Sequence, residues 1–254
     1  MNRLQTWVIN LDRAPERLAR IGAQLQSLEL PFTRLAAVDA LTLTADQRAS
    51  LDEAGYRRKH GMTPVPGELG CYLSHVQAMH AFLASGAQFA LILEDDALLH
   101  NSLPAVLQGL MDKADRWDVA KLSAVHSGTP VTYADVAPGH RLAVMLSRCT
   151  GSSAYLLNRR AAQSYAEGLL PMSLPYDHVF DQGWQFSIKF RLVTPTPCGH
   201  DDQIASSIVA PVGASRKFHW ARRLPTYAYR LRNEWRRLVY GLTQILLERR
   251  TLSP

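Results

Sequence analysis

The sequence predicts an α/β fold on three observations: an opening strand–helix–strand unit, strands and helices that go on alternating to about residue 215, and a strongly apolar strand that runs straight into three carboxylates. Residues 5–11 (QTWVINL) read as a short buried strand. Pro15 then opens a helix that puts Leu18, Ile21, Leu25 and Leu28 on one stripe, and residues 32–38 (FTRLAAV) form a second strand ending at Asp39. Residues 45–56 predict a helix, and residues 62–70 (MTPVPGELG), with two Pro and two Gly, predict a turn-rich loop. Helical spacing returns over 71–83 through Leu73, Val76, Met79 and Phe82, and residues 88–93 (QFALIL) are the apolar strand. Further strands are predicted at 118–122, 142–146 and 151–157, a helix at 160–169, a closing strand at 190–193 and a loop at 195–200.

Composition excludes whole classes. With 254 residues, 47% hydrophobic, 3 Cys, and 28 Lys+Arg against 22 Asp+Glu, the chain is neither disordered, collagenous nor a disulfide scaffold. The charge is uneven: 18 basic and 20 acidic residues precede Arg216, whereas 10 basic and 2 acidic residues follow from it, so residues 1–215 carry −2 and residues 216–254 carry +8. This predicts a near-neutral catalytic or binding domain, 1–215, with a cationic appendage, 216–254, rather than a domain that tracks nucleic-acid phosphates. Cys71, Cys149 and Cys198 are odd in number and lack zinc-site spacing, which points to a reducing compartment. No signal-peptide core opens the chain, and no apolar run reaches the ~18 residues of a spanning helix. The expected location is the cytoplasm, with the inner membrane face open to a peripheral protein.

Four motifs carry polar chemistry. In ALILEDDAL (90–98), a buried strand delivers Glu94, Asp95 and Asp96 to a sheet edge, where three adjacent carboxylates repel unless a cation joins them. Oxygen-rich sites with few protein ligands suit Mg²⁺ or Mn²⁺, and the i, i+2 spacing of Glu94 and Asp96 is that of a DxD-type motif; a solvated acidic turn is the plain alternative. In GELGCYLSH (67–75), Gly67 and Gly70 allow close backbone approach, and Glu68, Ser74 and His75 surround a helix start suited to an anion. Taken alone, His75 fits a hydrogen-bonded structural histidine better than a ligand. In VINLDRAPERLARI (8–21), Arg13 and Arg17 can face a phosphate, pair with Glu16 or sit in water. In PYDHVFDQG (175–183), Asp177 and Asp181 flank His178 and can supply a general base, or simply acidic residues for a first helical turn.

The order and spacing of VINLDRAPERLARI, AAVDA (36–40), GELGCYLSH, LILEDDA, TGSSAYLLNRRAA (150–162) and YDHVFDQ (176–182) resemble glycosyltransferase family 25, which includes bacterial lipopolysaccharide and lipooligosaccharide galactosyltransferases and collagen galactosyltransferases. The resemblance covers about residues 5–210. It implies a GT-A type, Rossmann-like mixed sheet flanked by helices, a UDP-sugar donor, Mn²⁺ (or Mg²⁺), a glycan or glycolipid acceptor, and inversion to a β-linkage, with galactose the expected hexose. On matching positions it implies that Asp96, with Glu94 or Asp95, holds the metal, diphosphate and ribose. Asn10, Arg13, Arg17 and Asp39 line the nucleotide side, and Glu68, Ser74 and His75 line the centre of the donor site. Asp177 is the candidate base, and His200, in a segment (198–208) that matches loosely, a further metal ligand.

From Leu231 the tail keeps helical spacing through Trp235, Leu238, Val239, Leu242, Ile245 and Leu246, with Arg232, Arg236 and Arg237 to the sides. Such a basic amphipathic helix lies on an anionic membrane or packs its apolar face on its own domain. A metal-dependent nucleotidyltransferase would also use sheet-edge carboxylates, but VINLDRAPER has no Gly for a phosphate loop. Nucleic-acid binding would rest on the tail alone, and a non-catalytic glycan-binding relic has no need of an intact Glu-Asp-Asp triplet.

Overall fold

The computed structural model describes residues 3–200 and 217–252. Its centre is an eight-stranded mixed sheet in the order β2-β1-β3-β8-β5-β9-β7-β6. The predicted opening unit is β1 (Leu4–Asn10), α1 (Pro15–Ser27) and β2 (Thr33–Ala36), and β1 pairs in parallel with both β2 and β3 (Phe89–Glu94). In register, Ile9 stands beside Glu94 and Asn10 beside Ala36, so three strands end together at one sheet edge. Leu91, Ile92 and Leu93 are wholly buried, each worth roughly 1.5–3 kcal/mol of transfer free energy. That burial leaves the following carboxylates no choice but the edge.

Beyond β3 the sheet turns antiparallel through β8 (Ala154–Asn158), then runs β5 (Val119–Lys121), β9 (Phe190–Thr194), β7 (His140–Met145) and the outer β6 (Pro130–Ala137). Helices cover both faces. The α1 and α5 (Leu103–Asp112) side holds one apolar core, while α4 (Pro66–Ser85), α6 (Arg159–Gly168), α7 (Tyr176–Val179) and α8 (Gly183–Phe186) hold the other. A short ribbon of β4 (Ala97–Leu99) and β10 (Cys198–His200) follows the carboxylates, with Ala97 opposite His200.

Four sequence expectations change. The helix predicted over 45–56 is split into α2 (Ala45–Ala49) and α3 (Glu53–His60), because Leu51 bridges to Met172 and Asp52 turns its carboxylate to the Gly55 amide at 2.8 Å, restarting the helix. The loop predicted over 62–70 is cut short: α4 begins at Pro66, a first-turn position where proline is tolerated, and Glu68 accepts from the Val65 amide at 3.2 Å. Gly70 is needed inside this helix, since a Cβ there would stand 2.6 Å from the Val38 carbonyl oxygen. The strand at 190–193 lies inside the sheet, which closes instead on the half-buried β6, and the loop at 195–200 contains β10.

The tail forms α9 (Leu224–Leu252), which packs against α3, α8, β6 and β7. Gly241 permits this approach; a Cβ there would lie 2.8 Å from the Met145 carbonyl oxygen. The helix turns its polar side inward. Thr226, Arg237 and Glu248 are buried, while Leu231, Trp235, Val239, Leu242 and Leu246 are exposed. Packing of the tail by its apolar stripe, one of the two sequence readings, is therefore not what occurs. The predicted junction at 215/216 lies outside the described residues. No helix among the described residues is long and apolar enough to cross a membrane.

Candidate active site

At the shared strand edge an open cleft of about 670 Å³ is lined by Asn10, Arg13, Arg17, Ser74, His75, Glu94, Asp95 and Asp96, together with Leu11, Val38, Ala40 and Cys71. Eight of the residues singled out in the sequence thus meet in one place. Asp39 is ion-paired to Arg13 at its margin. Glu68 and Asp177 are not in this cleft. They line a second, adjoining one of about 1040 Å³ with His60, Ser152, Tyr176, His178 and His200, and Glu94 and Cys71 belong to both. The expectation that Glu68 lines the centre of the donor site meets a carboxylate turned to helix capping, which accepts from the Tyr56 hydroxyl at 2.7 Å as well as from Val65.

The three carboxylates are held differently. Asp95 is the anchored one: Oδ2 accepts from Asn10 Nδ2 at 2.7 Å, and Oδ1 lies 3.3 Å from Arg17 Nε. Asn10, almost wholly buried, completes its own set by donating to the Ala14 carbonyl and accepting from Arg34 Nε at 3.0 Å. Asn10 therefore shapes the site more than it faces a ligand. Ser74 does likewise: its hydroxyl donates to Gly70 O at 2.7 Å and accepts from the Val38 amide at 2.8 Å, tying α4 to the loop after β2.

Glu94 looks to the other side. Its Oε1 accepts from the Ser152 hydroxyl at 2.7 Å and lies 3.3 Å from His75 Nε2. Burial pushes this carboxyl up, but the hydrogen bonds from His75 and Ser152 outweigh it, and Glu94 is held below the usual carboxylate range. His75 is wedged in place. Tyr176 stacks on the imidazole with ring centres 4.0 Å apart and planes 1° from parallel, and donates to the Tyr155 hydroxyl at 3.1 Å. Tyr155 is then free to donate to His75 Nδ1, 2.8 Å away, which puts the imidazole proton on Nε2, toward Glu94.

Asp96 is the open one. Oδ2 lies 3.3 Å from Arg17 Nη2, whereas Oδ1 is buried and has no hydrogen-bond partner, with His200 Nδ1 3.7 Å away as an ion-pair neighbour. Burial, then the negative charge of Glu94, pushes its carboxyl up to about 6. A buried, unsatisfied carboxylate oxygen beside two other carboxylates is what a hard divalent cation would complete, so the residues fit the Mn²⁺ or Mg²⁺ expected from the sequence. Cys71, His75 and Glu94 also offer donor atoms within 4.8 Å of one another, but His75 Nε2 is already engaged by Glu94. The Cys71 thiol, pushed well above its ordinary range by burial and then by the surrounding carboxylates, stays protonated and is no nucleophile.

In the second cleft, Asp177 Oδ2 accepts from the Gly151 amide at 3.3 Å, while Oδ1 stands 4.0 Å from His178 Nε2. Burial lowers His178, keeping it neutral near pH 7. Ser152, Tyr155 and Tyr176 were quoted within sequence motifs, yet nothing local marked them out. Ser152 and Tyr155 reach the site through the antiparallel pairing of β3 with β8, which sets Ser153 O against the Glu94 amide at 2.8 Å, and Tyr176 reaches it from α7.

With this geometry in view, the family model and the relatives found by sequence point to one family. The model of glycosyltransferase family 25 (LPS biosynthesis protein) matches residues 3–180. Procollagen galactosyltransferase 1 of Danio rerio is 32% identical over 123 residues, 45% of this chain and 20% of that protein. Inactive glycosyltransferase 25 family member 3 of Homo sapiens is 30% identical over 126 residues, 46% of this chain and 21% of that protein. The matched stretch thus spans about a fifth of the length of these relatives. A solved structure, a glycosyltransferase involved in the glycosylation of the major capsid of PBCV-1, aligns over 87% of this chain and 98% of its own at 9% identity with a TM-score of 0.40. The chain belongs to glycosyltransferase family 25.

Proposed function

We propose that the protein is an inverting glycosyltransferase that moves a hexose, galactose, from a UDP-sugar to a glycan or glycolipid acceptor of the lipopolysaccharide or lipooligosaccharide type, forming a β-linkage with the help of a divalent metal. The observation that carries this reading is the buried, unpartnered Asp96 Oδ1 in a cleft that opens directly onto a second cleft with its own carboxylate, Asp177. Galactose rests on the galactosyltransferase relative, and the bacterial acceptor on the family description. The three free cysteines, Cys71, Cys149 and Cys198, support a cytoplasmic setting.

In this reading Asp96, with Glu94, holds the metal, which when bound stabilises the negative charge that develops on the departing diphosphate. Arg17, already 3.3 Å from both Asp95 and Asp96, fixes these carboxylates, and Arg13 adds positive charge at the nucleotide side. Glu94 stands where the two clefts meet, its oxygen locked by Ser152 and His75, and so positions the sugar between donor and acceptor. Asp177 takes the proton of the acceptor hydroxyl; of the cleft's other carboxylates, Glu68 caps α4 and Glu94 is held by Ser152 and His75. Inversion follows when the hydroxyl attacks from the face opposite the leaving diphosphate.

The test is an assay of Mn²⁺-dependent hydrolysis and transfer across UDP-galactose, UDP-glucose and UDP-N-acetylhexosamines. UDP-galactose should be turned over fastest, and Asp177→Asn should lose transfer while retaining UDP affinity. No turnover of any UDP-sugar, or normal turnover by Asp177→Asn, would contradict the respective assignments.

A further inference from the structure

We propose that the outward face of α9 is a seat for an anionic lipid bilayer. An amphipathic helix on a globular domain ordinarily buries its apolar stripe; here the polarity is reversed. The inward side is closed by charge: Arg237 Nη1 lies 2.7 Å from Asp181 Oδ2, and Glu248 meets Arg191 Nη2 at 2.8 Å and Arg116 Nη1 at 3.1 Å. Tyr240 adds a hydroxyl that donates to Ile188 O at 2.6 Å and accepts from the Phe190 amide at 3.1 Å. These bonds fix the rotation of the helix about its axis and leave Leu231, 75% exposed, and Trp235, 65% exposed, pointing away from the domain with Val239, Leu242 and Leu246.

Charge complementarity selects the occupant. Arg222, Arg232, Arg236 and Arg249 are exposed around this stripe, while both acidic residues of α9 are withdrawn from it: Glu248 is buried and Glu234, half-buried, lies 3.5 Å from Arg237. A second copy of the chain would bring the same arginines face to face, a repulsive arrangement. An anionic bilayer accepts the leucines and Trp235 at its interface and neutralises the arginines among its headgroups. The seat also adjoins the chemistry. Tyr229, Arg230 and Asn233 of α9 share a crevice with His60 and His178, two residues of the cleft that holds Asp177. α9 thus stands between the seat on its outward side and that cleft on its inward side, which brings a lipid-linked acceptor within one helix of the cleft; this last step rests on the glycosyl-transfer reading, whereas the seat itself does not.

Co-flotation of the full chain with phosphatidylglycerol-rich vesicles, beside pure phosphatidylcholine vesicles, tests the seat without any reaction. The wild type should float with the anionic vesicles only, with a blue shift of tryptophan emission. The combined variant Leu231→Glu, Trp235→Glu, Leu242→Glu should partition about tenfold less, and Arg232→Glu with Arg236→Glu should lower binding and its sensitivity to salt. All three side chains of the first variant face solvent, so its thermal melting and UDP binding should match the wild type. A wild type that stays unbound, a Glu variant that floats as well as the wild type, or a concentration-dependent dimer dissolved by the same substitutions without vesicle binding would overturn the proposal.

Discussion

Two sets of arginine–carboxylate pairs divide the molecule. Beneath α9, Arg237–Asp181 and Arg191–Glu248 are buried and closed: Asp181 Oδ2 also accepts from the Cys149 amide at 3.0 Å, and Arg191 also donates to Tyr133 and Gln244. At the end of β3, Arg17 bridges Asp95 and Asp96 but leaves one Asp96 oxygen buried without a hydrogen bond. The chemistry of the side chains is the same. A closed pair holds structure together, because all four oxygens of Asp181 and Glu248 have found protein donors, only Arg237 Nε, 3.5 Å from Glu234, being left without a hydrogen bond; an open one keeps an acceptor that a ligand can meet.

Breaking the closed set should have the largest effect on folding. Arg237→Ala strands Asp181 in the interior and should cost about 3–5 kcal/mol, read as a loss of denaturation midpoint. Breaking the open set should strike activity instead. Asp96→Asn should lower transfer by about 10³-fold, near 4 kcal/mol of barrier. Its stability should move the opposite way: because the folded protein holds Asp96 at about 6 against a usual 3.8, ionising it weakens the fold as pH rises across that interval. In metal-free buffer Asp96→Asn should therefore melt above the wild type at pH 7.5, with the gap closing below about pH 4; a variant that melts lower at pH 7.5 would mean that Asp96 is as closed as Asp181.

Asp177→Asn should lower kcat by about 10²-fold and leave UDP affinity unchanged. Smaller still, Tyr155→Phe removes the hydrogen bond that sets His75 and should cost about 1 kcal/mol of stability while weakening turnover several-fold; unchanged turnover would show that the direction of the imidazole proton does not matter.

Much of the open set was legible in the sequence. Strand β3 is a continuous apolar run and β1 carries a shorter one at residues 7–9, and side-by-side parallel strands must deliver Asn10 and Glu94–Asp96 to one edge. The first Arg of α1 follows from the same geometry. What was hidden depended on distant chain. His75 reads as either structural or functional until β8 and α7 place Tyr155 and Tyr176 against it. The cap made by Glu68 was hidden because a Pro- and Gly-rich stretch conceals the start of α4. Half-buried β6 and three-residue β4 and β10 carry too little periodicity to announce themselves. The tail shows the limit most sharply: spacing reveals which residues share a face of α9, but only Asp181, Arg191 and Arg116 decide which face turns inward.

The central proposal is that Asp96, with Glu94, holds a divalent cation together with a nucleoside diphosphate. Calorimetric titration of UDP into the full chain, with and without Mn²⁺, tests it most directly. UDP should bind at least about tenfold more tightly with Mn²⁺ present, and Asp96→Asn should lose that gain while retaining the metal-free affinity. Equal UDP affinity with and without Mn²⁺ in the wild type, or an undiminished gain in Asp96→Asn, would contradict it.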